Sequence, residues 1–357
     1  MLKYSNIKIL EILDMKIIVI GPDYEKYNAA SYQYEFMNSL KEISEKYFHY
    51  SENNKIDLDD LCIKSKFTPD VIFFNHGWLH DNPSYKSITY GIISKKLSNN
   101  KIKQVIFLNK EYTRLNEKLN EIKHYKFDLI FSHLHDFYKL NNTSIDSKFL
   151  PLACSYANIC QDKNKKLENR KYDLFFSGIL QNWNFKNKQN DLRKQIQFEL
   201  FYCFFDFPVF KKFKYWNLII YWKPFYKNRF KNIFSDLLHG KRLSQKDYFK
   251  ILSNSKCVLH TSSPIGIIST RVFEALGSGA IGMFSSDSNA DVIFEDGTHF
   301  LSFFSIKNLI YNLYLVKNSK GNSKFQKIAN SGRELVEKKH TWRNRVAFFL
   351  DEVLKLS

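Results

Sequence analysis

The stretch SKCVLHTSSPIGIISTRVFEALGSGAIGMF, residues 255–284, decides the fold of this chain. Its apolar run at 256–260 predicts a buried parallel strand. The polar residues at 261–263, with Ser262 at their centre, predict the loop that leaves this strand. In open parallel sheets ligands collect beyond the carboxyl ends of the strands, so we expect this loop to face a ligand.

The second half of the stretch predicts a capped helix and a second strand. Ser269 or Thr270 can accept a hydrogen bond from an amide group at the start of a helix over 271–278. Glycines end that helix, and residues 280–284 form another strand. The backbone N–H groups of such a helix start can bind a phosphate or diphosphate, and the planar fork of Arg271 can hold two phosphate oxygens at once.

The run TRVFEALGSGAIGMF, residues 270–284, resembles the donor-binding segment of GT-B glycosyltransferases, especially the group-one C-terminal domain of the spore-maturation-protein-like branch. In that family the glutamate of this helix contacts the ribose of a sugar nucleotide, so the resemblance gives that role to Glu274. Many retaining members carry a second glutamate eight residues earlier, where this chain has Gly266. The resemblance implies sugar transfer without a metal or a cofactor, and the missing glutamate leaves the stereochemistry open.

The alternation of helical and strand patterns and the resemblance together predict an α/β protein of GT-B architecture. In it, two Rossmann-like domains with parallel sheets face a central cleft. The 357 residues fit two domains, and 44% hydrophobic residues suffice for two cores. The predicted segments are an extension at 1–14, an acceptor domain at 15–162, a linker at 163–171, a donor domain at 172–340, and a last helix at 341–357 that packs back toward the first domain. Met15 is an alternative start.

Apolar runs and capping residues place the other elements. In the first domain they predict strands at 16–20, 71–75, 105–108, 129–132 and 149–150, and a helix at 31–46. In the second domain they predict a strand at 172–177 and helices at 243–252, 306–317 and 323–338, with Thr341 as the cap of the last helix.

Imidazole and carboxylate side chains follow three predicted strands of the first domain. The candidates for general acid–base chemistry are His76, Glu111 and His133. His76 is the first choice, because it could activate the acceptor hydroxyl if the reaction inverts configuration and could position the sugar if it retains it. His133 could also join His135 and Asp136 in a metal site, but a complete ligand set has no visible source and no metal is predicted.

The second domain contributes the candidates for donor binding. A turn at residues 177–178, after the first strand of this domain, is a candidate for diphosphate contact, with a nearby lysine as the cation. The predicted donor-binding residues are Gly178, Lys186, Ser262, Ser269, Thr270, Arg271 and Glu274.

The formal charge of +18 favours an acidic partner: a nucleotide diphosphate, an anionic lipid or a nucleic acid. Heavy use of Lys, Asn, Ile, Phe and Tyr is also what AT-rich codon usage alone would give. Residues 205–234 hold twelve aromatic and seven basic residues beside the single acid Asp206. This segment is interpreted first as a core strand at 218–222 with basic flanks, second as a membrane-surface element, and last as a nucleic-acid stacking surface.

Targeting and redox signals are sparse. No apolar run reaches the roughly 18 residues that a membrane-spanning helix needs, and the N-terminus lacks the apolar core of a signal peptide. The chain is therefore predicted to be cytoplasmic, with peripheral association at the inner membrane face as an addition. The cysteines show no CxxC pair and so suggest neither a disulfide framework nor a zinc site: Cys62, Cys154, Cys160, Cys203 and Cys257.

The sequence thus predicts a metal-independent glycosyltransferase that moves a sugar from a nucleotide-diphosphate donor to a glycan, lipid-linked or protein acceptor. One alternative is a sugar-nucleotide epimerase or hydrolase of the same fold. A second is a non-catalytic basic protein that binds anionic membrane or nucleic acid. The sugar, the base and the acceptor are not specified by the residues.

Overall fold

A computed structural model describes residues 14–21, 31–52, 56–75, 101–108, 115–137, 147–155, 159, 165–180, 192, 196, 218–224, 244–319 and 323–356. The chain divides into two compact units. The first unit contains Met1–Ala153 and Thr341–Ser357, and the second unit contains Cys154–His340. Among the described residues, no helix is long and apolar enough to cross a bilayer.

The first unit contains a six-stranded sheet in which every pair of neighbouring strands is parallel. Its strands lie in the order β2-β1-β3-β4-β5-β6, with bounds β1 Lys16–Ile20, β2 Lys46–Tyr50, β3 Val71–Phe74, β4 Lys103–Phe107, β5 Leu129–Ser132 and β6 Lys148–Phe149. The helices α1 (Ser31–Ile43), α2 (Leu58–Ser65) and α3 (Leu115–Tyr125) lie between them in the chain. The strand order reverses between β1 and β3, which makes that pair the switch point of the sheet.

The strand predictions for the first unit are confirmed to within two residues, because strands buried on both faces have nearly continuous apolar sequences such as VIFF in β3. The predicted helix at 31–46 ends earlier, at Ile43, and its last residue instead begins β2. β2 was missed because it is an edge strand, KYFHY, whose first four residues are at most half-buried. An edge strand needs no unbroken apolar run, so its pattern was too weak to detect.

The second unit contains a five-stranded parallel sheet in the order β11-β10-β9-β7-β8. Its strands are β7 (Tyr172–Leu180), β8 (Leu218–Pro224), β9 (Ser255–His260), β10 (Ile281–Ser285) and β11 (Phe300–Phe303). Its helices are α4 (Gln245–Leu252), α5 (Thr270–Gly277), α6 (Ile306–Asn318) and α7 (Ser323–Lys339). From β7 the chain goes out to β8 and returns to β9 on the other side, so the switch point lies between β7 and β9.

The helices and strands predicted around residues 255–284 are confirmed to within one residue. The strand predicted at 218–222 is also confirmed: β8 pairs with β7, although it is the edge strand of the sheet. The remainder of the basic aromatic segment, 205–217 and 225–234, lies outside the described residues.

The described part of the predicted linker, residues 165–171, is hydrogen-bonded to the second unit. Lys165 Nζ donates to Asn254 Oδ1 at 2.7 Å, and the guanidinium of buried Arg170 donates to the carbonyl oxygen of Ser255 at 2.9 Å. The two units divide ahead of this segment, between Ala153 and Cys154. Residues 165–171 are therefore fixed along the amino-terminal edge of the second sheet.

The last helix, α8 (Trp342–Leu354), belongs to the first unit. The predicted cap is confirmed, because the Thr341 side chain accepts from the Asn344 amide and the Asn344 side chain accepts from the Thr341 amide. The Phe349 ring lies 4.7 Å from Phe73 of β3 and 5.7 Å from Phe36 of α1, centroid to centroid. Since all three rings are fully buried, α8 contributes directly to the core of the first unit.

Buried Arg345 attaches α8 to the segment after β6. Its Nε donates to the carbonyl oxygen of Pro151 at 2.8 Å, and its Nη2 donates to that of Leu152 at 3.2 Å. One cation thus binds two consecutive backbone carbonyl groups, and both would lose a charged donor if the guanidinium were removed. Arg343, on the same helix, instead forms a solvent-exposed pair with Glu42 at 2.8 Å.

We expect Arg345→Met to destabilise the first unit by about 2–3 kcal/mol, because hydrogen bonds from a charged donor to buried carbonyls are lost. Arg343→Met is the matched control and should cost at most about 0.5 kcal/mol, as for other exposed ion pairs. Native-state amide exchange in α8 measures both effects. Equal protection of α8 in the two variants would show that the Arg345 contacts contribute little.

Candidate functional site

A network of polar side chains joins the loops that follow β9 and β10, next to the switch point of the second sheet. Ser262, which follows β9, is buried, and its amide donates to Ser285 Oγ at the end of β10 at 3.0 Å. Its hydroxyl donates to Asp287 Oδ2 at 3.0 Å. The loop after β9 is thereby fixed to the loop after β10, at the edge where parallel α/β sheets bind ligands.

The turn at Pro264–Gly266 has a backbone conformation that is strained for a glutamate at the position eight residues before Glu274. Gly266 has φ of +78°, and a Cβ atom built there would lie 2.3 Å from the side-chain nitrogen of Asn289. That nitrogen donates to the carbonyl oxygen of Gly266 at 3.0 Å. The left-handed backbone and the Asn289 contact together explain why this position is a glycine.

Helix α5 begins at this edge with a side-chain cap. Ser269 Oγ accepts from the amide of Arg271 at 3.2 Å, which confirms that Ser269 rather than Thr270 is the N-cap. The apolar face of the helix is fully buried, so its start is held rigidly. The Arg271 side chain is half-buried and forms no hydrogen bond or ion pair with any residue that the structure describes.

Glu274 lies one turn into α5, with its carboxylate directed at α4. Tyr248 Oη donates to Glu274 Oε2 at 2.9 Å. Burial raises the pKa of Glu274, whereas the Tyr248 hydrogen bond and the Arg271 charge oppose that rise. Burial and the adjacent Glu274 charge raise the pKa of Tyr248 well above its ordinary value, so its hydroxyl remains a donor. The site thus holds a partly desolvated carboxylate and an arginine beside a helix start.

Five predicted donor-binding residues come together here. They lie on the loop after β9 and on the first turns of α5: Ser262, Ser269, Thr270, Arg271 and Glu274. The turn predicted at residues 177–178 is wrong, because β7 continues to Leu180 and Gly178 pairs with Trp222 of β8. The longer ladder with β8 keeps this segment extended. Lys186 lies outside the described residues.

The first-unit candidates are placed only in part. His76 and Glu111 lie outside the described residues, although Asn75, immediately before His76, is buried at the switch point and its amide donates to the carbonyl oxygen of Ile20 at 2.9 Å. Asn75 thus lies at the ligand-binding edge of the first sheet, and the role of His76 stays a prediction.

His133 has the surroundings of a structural residue. Its side chain is 3% exposed, and Nδ1 donates to the carbonyl oxygen of Leu150 at 2.9 Å. The ring lies 4.5 Å from that of Phe107. These contacts join β5 to the segment after β6, and a catalytic role for His133 stays a prediction. His135 and Asp136 pair at 2.9 Å, and the described residues include no group of three or more metal-binding side chains.

Sequence reasoning missed Tyr248, Asp287 and Asn289. Tyr248 lies within the helix predicted at 243–252, but its hydroxyl gives no periodic signal in the sequence. Its partner lies 26 residues away, so only the tertiary structure brings the two together. Asp287 and Asn289 follow β10. Their position beyond the carboxyl end of a predicted strand was a signal that could have identified them.

Comparisons with known proteins agree with this architecture. The family described as Glycosyl transferase-like matches residues 209–351, which is less than half of the chain. No curated protein shows significant sequence similarity to it. The spore-maturation-protein-like branch has no support among these matches and stays a prediction.

Three solved structures share the fold at low sequence identity. An alpha-glucosyltransferase in complex with UDP-glucose and DNA containing an abasic site has a TM-score of 0.63 at 12% identity, covering 96% of this chain and 100% of that one. Anabaena HepE in complex with UDP and glucose has a TM-score of 0.61 at 11% identity, covering 96% of this chain and 100% of that one. A glycosyltransferase from Rickettsia africae ESF-5 has a TM-score of 0.59 at 11% identity, covering 96% of this chain and 98% of that one. The predicted GT-B fold, with parallel sheets in two α/β domains, is thereby confirmed.

The burial of Glu274 predicts a pH-dependent stability cost. Because its pKa is raised in the folded state, the folded chain binds more protons than the unfolded chain above the ordinary carboxyl pKa, and stability falls as pH rises through the folded value. We expect Glu274→Gln to be more stable than the parent at about pH 8, with a gain that shrinks as pH falls below the ordinary carboxyl pKa of about 4.3, where both states become protonated.

Thermal unfolding across this pH range measures the difference. Glu334→Gln, at an exposed position of α7, is the matched control. A Glu274→Gln variant that is less stable at high pH would show that Tyr248 and Arg271 stabilise the carboxylate by more than burial costs.

Proposed function

We propose that this chain is a glycosyltransferase that takes a sugar from a nucleotide-diphosphate donor bound on the second unit. The observation that carries the proposal is the position of Glu274 and Arg271 on the first turns of α5, beside the switch point of a parallel sheet. The fold it shares with structures that hold UDP-glucose or UDP and glucose supports the same class of donor.

Departure of the nucleoside diphosphate is the step that these residues would assist. When the bond between the anomeric carbon and the β-phosphate oxygen breaks, negative charge develops on the diphosphate. The amide groups at the start of α5 and the Arg271 guanidinium would stabilise that charge, so the proposal needs no metal. Arginine suits this role because it can bind two phosphate oxygens in a fixed geometry.

Recognition of the nucleoside would fall to Glu274. An ionised carboxylate accepts hydrogen bonds only, and the ribose of a nucleotide presents hydroxyl donors. The turn after Ser262 would line the sugar side of the same edge, and buried Ser262 would hold that loop in place through Ser285 and Asp287. The buried fixed network that holds this loop leaves little reorganisation for binding.

Transfer also requires an acceptor. His76 remains the proposed residue at the acceptor side, as base if the reaction inverts configuration and as a positioning group if it retains it. A glycan, a lipid-linked sugar or a protein would serve as acceptor, and an anionic membrane surface is a proposed partner on the strength of the +18 charge.

A panel of UDP-, GDP-, dTDP- and CMP-sugars tests the donor class by thermal shift, because a ligand of the folded state raises the melting temperature. We expect at least one member to stabilise the protein. Glu274→Ala should weaken that binding about tenfold to a hundredfold, as expected for lost hydrogen bonds to a charged group. The effect should shrink for an analogue that lacks the ribose hydroxyls.

Arg271→Ala should lower the transfer rate by about a hundredfold or more, if its charge stabilises the departing diphosphate. Arg343→Ala, which removes an exposed arginine from the first unit, is the control. Radiolabelled donor with and without a lysate-derived acceptor separates transfer from hydrolysis, since a hydrolase releases free sugar without acceptor. A protein that binds no nucleotide sugar would contradict the proposal.

A further inference from the structure

Tyr248 is fixed by packing as well as by its hydrogen bond to Glu274. Its ring lies 5.7 Å from that of Phe175 in β7 and 5.1 Å from that of Phe249, centroid to centroid. Phe175 is fully buried. A phenylalanine at position 248 would satisfy these ring contacts equally well, so packing alone does not account for the hydroxyl.

The Tyr248 hydroxyl makes the two oxygens of the Glu274 carboxylate different from each other. Oε2 accepts from Tyr248 Oη at 2.9 Å, whereas Oε1 accepts no hydrogen bond from any residue in the described ranges. Rotation of the carboxylate about its last bond would break the Tyr248 bond. One oxygen is thereby anchored, and the other is left with a defined direction.

We infer that Tyr248 is a positioning residue, which anchors the Glu274 carboxylate so that its second oxygen accepts a hydrogen bond from the ribose of the donor. This inference rests on the proposed function. It assigns a specificity role within the donor site: a nucleotide with ribose hydroxyls gains the aligned acceptor, and one without them does not.

Electrostatics make the anchor consequential. The groups that act on Glu274 are Tyr248 on α4 and Arg271 on α5, and Cys154 lies near the Tyr248 side of the pair. If the Tyr248 hydroxyl were lost, only the Arg271 charge would oppose the rise in the pKa of Glu274 that burial causes. The carboxylate would then take up a proton at higher pH or turn toward the guanidinium, and in both cases the acceptor for ribose would be misplaced.

The test compares two single-hydroxyl deletions in the second unit. Tyr248→Phe removes the anchor, and Tyr311→Phe removes a hydroxyl from an exposed tyrosine of α6. The probe is UDP-glucose, or the panel member that stabilises the parent most. We expect Tyr248→Phe to weaken its binding about three- to tenfold near neutral pH, the scale of one hydrogen bond, and Tyr311→Phe to bind like the parent.

The pH profile adds a readout that a purely structural role would not move. As pH falls toward the ordinary carboxyl pKa of about 4.3, binding should weaken when Glu274 takes up a proton, and in Tyr248→Phe this loss should begin at higher pH. Nucleotide sugars suit this titration because their diphosphate is a diester without the terminal phosphate group that titrates near neutrality. In Glu274→Gln, the part of the pH dependence of binding that comes from the Glu274 carboxylate should be absent.

A double-mutant cycle separates the two proposals. Adding Tyr248→Phe to Glu274→Gln should cost no further affinity if Tyr248 acts through the carboxylate. Additive losses, or a Tyr248→Phe variant that matches Tyr311→Phe in affinity and pH profile, would overturn the positioning role and leave the donor site standing. Unchanged affinity in Glu274→Ala would instead remove the donor site itself. A melting temperature for each variant shows that the fold is retained.

Discussion

Parallel strands place all of their carboxyl ends at one edge of a sheet, and this constraint decides where chemistry is located in each unit. Helical crossovers cover both faces, so the loops at that edge are the parts of the chain that can present polar groups without breaking the core. In the second unit, the reversal of strand order between β7 and β9 opens the edge at one place. The start of α5 lies there, and the Ser262 network joins the neighbouring loops after β9 and β10.

The Glu274 carboxylate shows how such an edge departs from the rules of a stable core. Desolvation opposes its ionisation, and a hydroxyl and a guanidinium partly offset that opposition. A glutamine would fit the same space with less electrostatic penalty. An acid at this position therefore lowers stability, and a structural role does not explain that loss. Recognition of a hydroxylated ligand does explain it, and such stability costs are common at functional sites.

The sequence specified most of the fold because local patterns and global burial agree. The VIFF and KIIVI runs could only be buried strands, and the Ser244, Ser305 and Thr341 caps mark helix starts through contacts a few residues apart. β2 escaped detection because an edge strand needs no apolar run, and the end of β7 was misplaced because glycine suggested a turn where a neighbouring strand keeps it extended.

In the candidate site, too, the residues that could be predicted are those close together in the sequence. Ser269 and Arg271 could be selected because strand, cap and helix are consecutive in the chain, and Glu274 because this helix resembles the donor-binding segment of GT-B glycosyltransferases. Tyr248 could not, since its importance depends on a contact between two helices that the pattern of neither helix reveals. Long-range polar pairs are the part of a site that sequence periodicity does not encode.

The first unit is assembled from two separated pieces of chain, with the whole second unit between them. During synthesis the ribosome releases Phe36, Phe73 and Phe131 long before Phe349, the ring that packs against all three. The nascent first unit must therefore keep an apolar surface uncovered until residues 154–340 have emerged, while the second unit can fold as soon as its own residues leave the exit tunnel. The half of the molecule translated first is the half completed last.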